Sequence, residues 1–276
     1  MTYDPAFDDP WLKWAWAVRN AKALHAEVTR FLKDEVQPPW TTRQEYNSKL
    51  HGFSVFIDSV ATERLPDIWG LRVGDIIHAY RSCLDHLAWV LVDRGRTPTR
   101  TLSEKHQRGV YFPIAPTREN FRSVQPRYLP GCRRADIAKV RLIQPYNAGK
   151  RRVRAHPMSI LSAFSDTEKH RTIQPVRRYQ EDARLKVTNR VDCVIRRVRV
   201  MPDVTIEVNA ELARVYARRT GPNPDIEMKG GMAVRISVGQ GLPMEVFLNT
   251  VQKVIGNLLV LFSEPPDKLM ERAIPV

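Results

Sequence analysis

Between Pro10 and Glu35 the residues Trp11, Trp14, Val18, Ala21, Leu24, Val28, Phe31 and Leu32 recur at helical spacing. A stripe this long and this aromatic has to be covered, so it commits the chain to packing a long helix against other elements. The spacing predicts a first helix with Asp9 as its N-cap, Pro10 at the first helical position and Pro38-Pro39 as its stop. A second long helix is predicted from Pro66-Asp67 to about Asp93, ending before Gly95. A last one follows Pro243, with Val246, Phe247, Val251, Val254, Ile255, Leu258, Leu259 and Phe262 on one face until Pro265-Pro266. Apolar faces at both ends of the chain predict that the ends meet in one helical bundle. His25, on the edge of the first stripe, reads as a hydrogen-bonded packing histidine.

Other segments change period. Phe53, Val55 and Ile57 alternate within Tyr46 to Val60, which predicts an extended strand or arm. The proline-rich middle, Arg94 to Lys150, carries the strand-like Val110-Tyr-Phe-Pro-Ile114 and a short helix over Ala135 to Leu142. A further helix is expected from Pro157 to Arg171. From Lys186 onward Val191, Cys193, Ile195 and Val198 alternate against arginines, and Val204 to Val208, Arg214 to Arg218 and Met232 to Val238 follow as antiparallel strands. The predicted fold class is therefore α+β: a helical bundle formed by both ends of the chain, with a small antiparallel sheet inserted before the last helix. The expected division is one unit over 1–276, mainly helical in 1–175, with strands in 186–240 and the returning helix in 243–264.

A chain of 276 residues with 43% hydrophobic content has enough apolar material for a true core. Its charge is the first functional clue, because 44 Lys and Arg against 30 Asp and Glu leave +14 and point to polyanionic partners. The excess is clustered. Arg118, Arg122, Arg127, Arg133, Arg134, Lys139, Arg141, Lys150, Arg151, Arg152 and Arg154 are opposed in that stretch only by Glu119 and Asp136. A second cluster runs from Lys169 and Arg171 through Arg177, Arg178, Arg184, Lys186, Arg190, Arg196, Arg197 and Arg199. Arginine predominates, and its planar fork suits bidentate phosphate recognition. Arg133, Arg134, Arg151, Arg152, Arg154, Lys169, His170 and Arg171 are the expected nucleic-acid contacts. No apolar run is long enough to span a bilayer, and the acidic start lacks the pattern of a secretory leader. Cys83, Cys132 and Cys193 lack paired spacing, which suggests a reduced compartment. The expectation is a cytoplasmic protein without a membrane partner.

The second helix holds the most specific signal. At helical pitch Ile76, Ile77, Tyr80, Cys83, Leu84, Leu87, Val90 and Leu91 share one side, and Asp75, His78, Arg81, Ser82, Asp85, His86 and Asp93 the other. An ordinary solvated face would be rich in Lys and Glu. Between Asp67 and Asp93 there is neither. A face of Asp, His, Arg and Ser reads as a polar network, a ligand site or a dimer contact, and Arg81 with Asp85 as an (i, i+4) pair supports the purely structural version equally.

The run Arg81-Ser-Cys-Leu-Asp-His86 resembles the arginine–histidine signature of the HEPN superfamily. That resemblance implies a metal-independent endoribonuclease without cofactor, working as a homodimer, with Arg81, Asp85 and His86 as catalytic residues. The chemistry implied is attack of a ribose 2′-hydroxyl on the adjacent phosphate, with His86 moving the proton and Arg81 holding the phosphate. Residues five apart on a helix diverge by about 140°, so a two-fold dimer is expected to bring two sets together. Arg81 to Leu87, Phe112-Pro-Ile114, Gln144-Pro-Tyr146 and Lys169-His-Arg171 together also resemble a family of uncharacterised bacterial proteins over most of the chain. This second likeness implies a single folding unit and no activity.

Two further readings compete. Asp166, Glu168, Lys169, His170 and Arg171 end a helix, where basic residues complement the dipole or add a phosphate contact. Asp75, His78, Asp85 and His86, joined by Asp166 or His170, offer donors for a divalent ion, although Arg81 among them would repel it and no HExxH or Glu-x-x-His spacing is present. A non-catalytic nucleic-acid-binding or assembly protein is the remaining class. Gly-rich phosphate loops, GxSxG and nucleophilic cysteine signatures are absent from the sequence.

Overall fold

The computed structural model describes residues 4–34, 40–60, 65–96, 107–170, 176–202, 204–222, 224–238 and 242–263. Six α-helices and seven strands are found among them. The helices are α1 (Asp8–Asp34), α2 (Asp67–Arg94), α3 (Arg118–Tyr128), α4 (Arg134–Leu142), α5 (Pro157–His170) and α6 (Met244–Val260). The strands are β1 (Trp40–Asn47), β2 (Gly52–Val60), β3 (Val176–Val191), β4 (Cys193–Val200), β5 (Glu211–Arg219), β6 (Asp225–Val238) and β7 (Leu242–Pro243). The chain divides into two compact units, one of 1–25, 70–174 and 245–276, the other of 26–69 and 175–244. The fold is α+β, with a bundle drawn from both ends of the chain and a small inserted antiparallel sheet.

In the helical unit α1 is the centre. Trp11, Trp14, Val18, Ala21 and Leu24 are buried, as their spacing requires. Helix α6 runs beside α1 in the opposite sense: Trp14 Nε1 donates to the Gln252 carbonyl at 3.0 Å, His25 lies 3.7 Å from Glu245, and Phe7 stacks on Phe262. Gly256 is where the Trp14 ring meets the α6 backbone, since a Cβ there would stand 3.2 Å from Cζ2. His25 is half exposed beside that carboxylate, not packed in the core. Helix α2 flanks α1 too, with the Cys83 thiol donating to the Pro10 carbonyl at 3.2 Å. Phe164 of α5 meets Phe247 edge-on, and Lys139 of α4 donates to the Leu261 carbonyl at 2.7 Å just past α6. That lysine, one of the basic cluster, is a helix cap.

The sheet unit holds two sheets. Strands β1-β2-β5-β4 form one, and β3-β6-β7 the other, all pairs antiparallel. Phe53, Val55, Cys193, Ala213, Val215, Ala217 and Ile226 make its main core. Gly52 is obligatory at the β2–β5 crossing because a Cβ would collide with the Val215 carbonyl. The chain leaves β3 for β4 through Asp192, whose φ of 52° is left-handed. Phe31 and Trp69 pack edge-to-face at 5.2 Å, and Trp69 Nε1 donates to Glu27.

Several expectations are corrected. Pro10 is the third residue of α1, whose first turn follows a 3-10 turn at Pro5–Phe7. Helix α3 was hidden by Pro126, which lies inside it, and by its polarity. The sheet is not confined to the stretch before the last helix, since β1 and β2 precede α2 and β2 is internal. Val204–Val208 forms no ladder strand; the chain turns there, with Asn209 at φ 69° donating to the Ile57 carbonyl. Arg196 and Arg197 are both exposed because a bulge between Ile195 and Arg197 resets the alternation of β4. Among the described residues Val110–Ile114 forms no strand. The Val110 and Tyr111 amides donate to the Gln107 and Tyr128 carbonyls, while Phe112 and Pro113 are held by side chains, and that fact organises the candidate site.

Candidate functional site

Helix α2 divides as its sequence dictates. Ile76, Ile77, Tyr80, Cys83, Leu84, Leu87 and Leu91 are buried, while Asp75 and His78 are exposed and Arg81, Ser82, Asp85, His86 and Val90 are partly covered. Burial pushes the Tyr80 hydroxyl and the Cys83 thiol well above their usual ranges, and the Asp85 carboxylate adds to the shift of Cys83. Neither group is available as a nucleophile.

On the polar side Arg81 Nη2 lies 3.0 Å from Asp85 Oδ1, and both side chains are largely covered, at 14% and 20% exposure. The same nitrogen donates to the Phe112 carbonyl at 3.0 Å, and Asp85 Oδ1 accepts from the Phe112 amide at 3.0 Å. One residue of the Val110–Ile114 segment is thus gripped at both its amide and its carbonyl by two residues one helical turn apart. An extended chain without a ladder needs such partners. Removing either partner strands a shielded polar group, which typically costs about 1–3 kcal/mol.

The grip continues. Gln144, buried to 1% exposure, accepts from the Ala115 amide through Oε1 at 2.9 Å and donates through Nε2 to the Pro113 and Val140 carbonyls, both at 3.0 Å. Arg81 and Asp85, Phe112 and Pro113, and Gln144 thus form one connected bracket that joins three of the four segments of the second resemblance; the fourth, Lys169-His-Arg171, lies outside the described side chains. Sequence reading could not place Gln144 here, although Gln before Pro-Tyr at the end of a short helix was the available sign.

His86 faces away from the bracket. Its Nδ1 is 3.8 Å from Asp9 Oδ2, with the imidazole 40% exposed. That is an ion pair when the ring is protonated and too long for a hydrogen bond. Arg81, Asp85 and His86 nevertheless line one concavity of about 310 Å³ with His78, Ser82, Trp89, Gln107, Arg108, Val110 and Tyr111. Arg81 and His86 diverge around α2, one toward Phe112 and the other toward Asp9, yet both border this hollow. Arg81 has spent Nη2, but among the described residues Nη1 and Nε make no further hydrogen bond. A neighbouring open groove of about 730 Å³ shares His78 and Ser82 and adds Asp9, Lys13, Arg19 and Asp75 with the exposed Leu12 and Trp16.

The expected phosphate contacts divide by location. Arg133, Arg134, Arg151, Arg152 and Arg154 are all exposed. The side chains of Lys169 and His170 and the whole of Arg171 lie outside the described residues; Asp166 is exposed. Among the described residues no three His, Cys, Asp or Glu side chains come together as metal ligands, since Asp85 is held by Arg81 while Asp75 lines only the neighbouring groove. Among them also, no helix is long and apolar enough to cross a membrane. Comparison with protein-family models, with curated proteins and with solved structures finds no match to this chain.

Proposed function

We propose that the protein binds RNA and cleaves its phosphodiesters without a metal at the α2 concavity. The observation that carries this reading is the meeting of Arg81, Asp85, His86, His78 and Arg108 around one hollow of a protein with charge +14. In the proposed reaction His86 takes the proton from the ribose 2′-hydroxyl. The oxygen attacks phosphorus, the bond to the 5′-oxygen breaks, and a 2′,3′-cyclic phosphate and a 5′-hydroxyl result. The Nη1 and Nε groups of Arg81, together with the Arg108 guanidinium on the same hollow, answer the charge on the pentacoordinate phosphate. The leaving oxygen takes its proton from a second histidine. His78 stands on the same wall, and a two-fold dimer would offer a second His86. Asp85 holds Arg81 and is a positioning residue.

A non-catalytic nucleic-acid-binding protein is the second reading, favoured by one observation: the hold of Arg81 and Asp85 on Phe112 accounts for both residues without any reaction. Incubating labelled RNA in excess EDTA, with end-group analysis, separates the two. Cleavage is expected from the wild type and lost in His86→Ala with little change in melting, because the partly covered imidazole faces only the exposed Asp9 carboxylate. Arg81→Ala is expected to lose cleavage and also about 1–3 kcal/mol of stability, as the Phe112 carbonyl is left unpaired. Wild type that cuts no RNA, or His86→Ala that cuts as well as wild type, overturns the catalytic reading.

A further inference from the structure

Away from α2, the bracket ends at an aromatic residue surrounded by positive charge. Pro145, buried, opens the 3-10 turn Pro145–Ala148, and the Gln144 bonds fix where that turn begins. Asn147 Nδ2 closes its other side on the Arg141 and Leu142 carbonyls at 2.7 and 2.9 Å. Tyr146 stands between these anchors, half covered, its ring edge-on to Phe121. The Arg118 guanidinium lies over the ring at 6.0 Å from its centroid. Arg122 follows one turn later on α3, and Arg141 comes from α4, where its carbonyl accepts from Asn147; all three are exposed. Burial raises the tyrosine hydroxyl, and Arg141, Arg118 and Arg122 each pull it back, which puts all three charges within electrostatic reach of one oxygen. Among the described residues none of these arginines has an ion-pair partner. Glu119, the nearby carboxylate, is held low by its own backbone amide and the Thr117 hydroxyl before either Arg122 or Arg118 contributes.

We propose that Arg118, Arg122 and Arg141 around Tyr146 form a phosphate-binding site for single-stranded nucleic acid, separate from the α2 concavity. Guanidinium forks bind phosphate oxygens, and an aromatic ring beside them supports a base of any sequence. Three arginines set against the single carboxylate of Glu119 leave a net positive charge, which an entering phosphate neutralises. The site rests on the nucleic-acid-binding part of the proposed function and not on cleavage.

The test is fluorescence anisotropy with a labelled single-stranded oligodeoxynucleotide, which lacks the 2′-hydroxyl and so reports binding alone. Arg118→Gln/Arg122→Gln/Arg141→Gln is compared with Arg196→Gln/Arg197→Gln/Arg199→Gln, an equal loss of charge from exposed positions of β4. The first is expected to weaken binding about tenfold at 0.1 M salt and to lower the slope of log K against log salt by about 2, the second to change affinity less than about threefold. Tyr146→Ala is expected to weaken binding and, because the ring packs on Phe121, to lower melting as well, whereas Tyr146→Phe, which keeps the ring, is expected to preserve both. Equal losses in both triple variants overturn the site and leave general binding intact; wild type that binds nothing overturns both. Displacement of the oligonucleotide by micromolar free nucleotide would assign the site to a small ligand and overturn the polymer.

Discussion

Gln144 shows how much one side chain can carry. Its amide makes three hydrogen bonds in a place without water access, satisfying Ala115, Pro113 and Val140 at once. Gln144→Leu, nearly isosteric, leaves one amide and two carbonyls without partners, and each such group costs about 1–3 kcal/mol. Urea unfolding should therefore show a loss of several times that of an ordinary surface substitution, whereas replacement of the neighbouring exposed Leu142 by Gln should cost nothing measurable. Arg81 and Asp85 were legible in the sequence as an (i, i+4) pair on a face lacking Lys and Glu. What they hold was not, because the Phe112 peptide presents the same atoms whatever its side chain. Backbone partners leave no mark on the sequence of the segment that is held.

Among the elements, those with strong periodicity were legible and those defined by polar ends were not. Helices α1, α2 and α6 follow their apolar stripes, except that Val246, expected on the covered face of α6, is exposed. Helix α3 buries little besides Phe121, so it gave no stripe, and its start at Thr117, which caps the Asn120 amide at 3.1 Å, was passed over. The start of α5 makes a prediction about pH. The His156 carbonyl accepts the first helical bond from Ile160, and its Nδ1 accepts the Met158 amide at 3.3 Å. Only a neutral ring can accept there, and burial lowers the imidazole below its ordinary value of 6.5. Because the folded pKa is depressed, this stabilisation is complete above pH 6.5 and lost as the pH falls through the lower folded value. Denaturation at pH 7.5 and pH 5 should show a smaller difference for His156→Asn, which caps without titrating, than for wild type. An equal difference in the two proteins would remove the cap from the explanation.

For the molecule as a whole, the sequence conveyed a basic protein with a bundle from both ends and an antiparallel sheet, and the two long basic clusters proved to serve several ends. Lys139 caps a helix, Arg118 and Arg127 lie over tyrosine rings, and Arg133, Arg134, Arg151, Arg152 and Arg154 face solvent. The three thiols offer a measure of global integrity. Cys83, Cys132 and Cys193 are buried and in no disulfide, and burial holds the Cys132 thiol up at about 12, with Asp136 adding to the shift. A thiol reagent at pH 8 should find no fast-reacting group in the folded protein and all three after denaturation. A single fast thiol in the native state would mark a local opening around that cysteine.

The bracketed segment at Val110–Ala115 has a consequence for observing this protein in solution. In a ladder, an amide proton is guarded by a neighbouring backbone and is freed only when two strands part. The Phe112 and Ala115 protons are guarded by Asp85 and Gln144, so a change of rotamer at either side chain releases one of them without moving the chain. Two slowly exchanging amides would then act as separate sentinels: loss of the first alone reports slackening at the α2 concavity, loss of the second alone reports slackening toward Tyr146, and loss of both together reports that the whole bracket has let go.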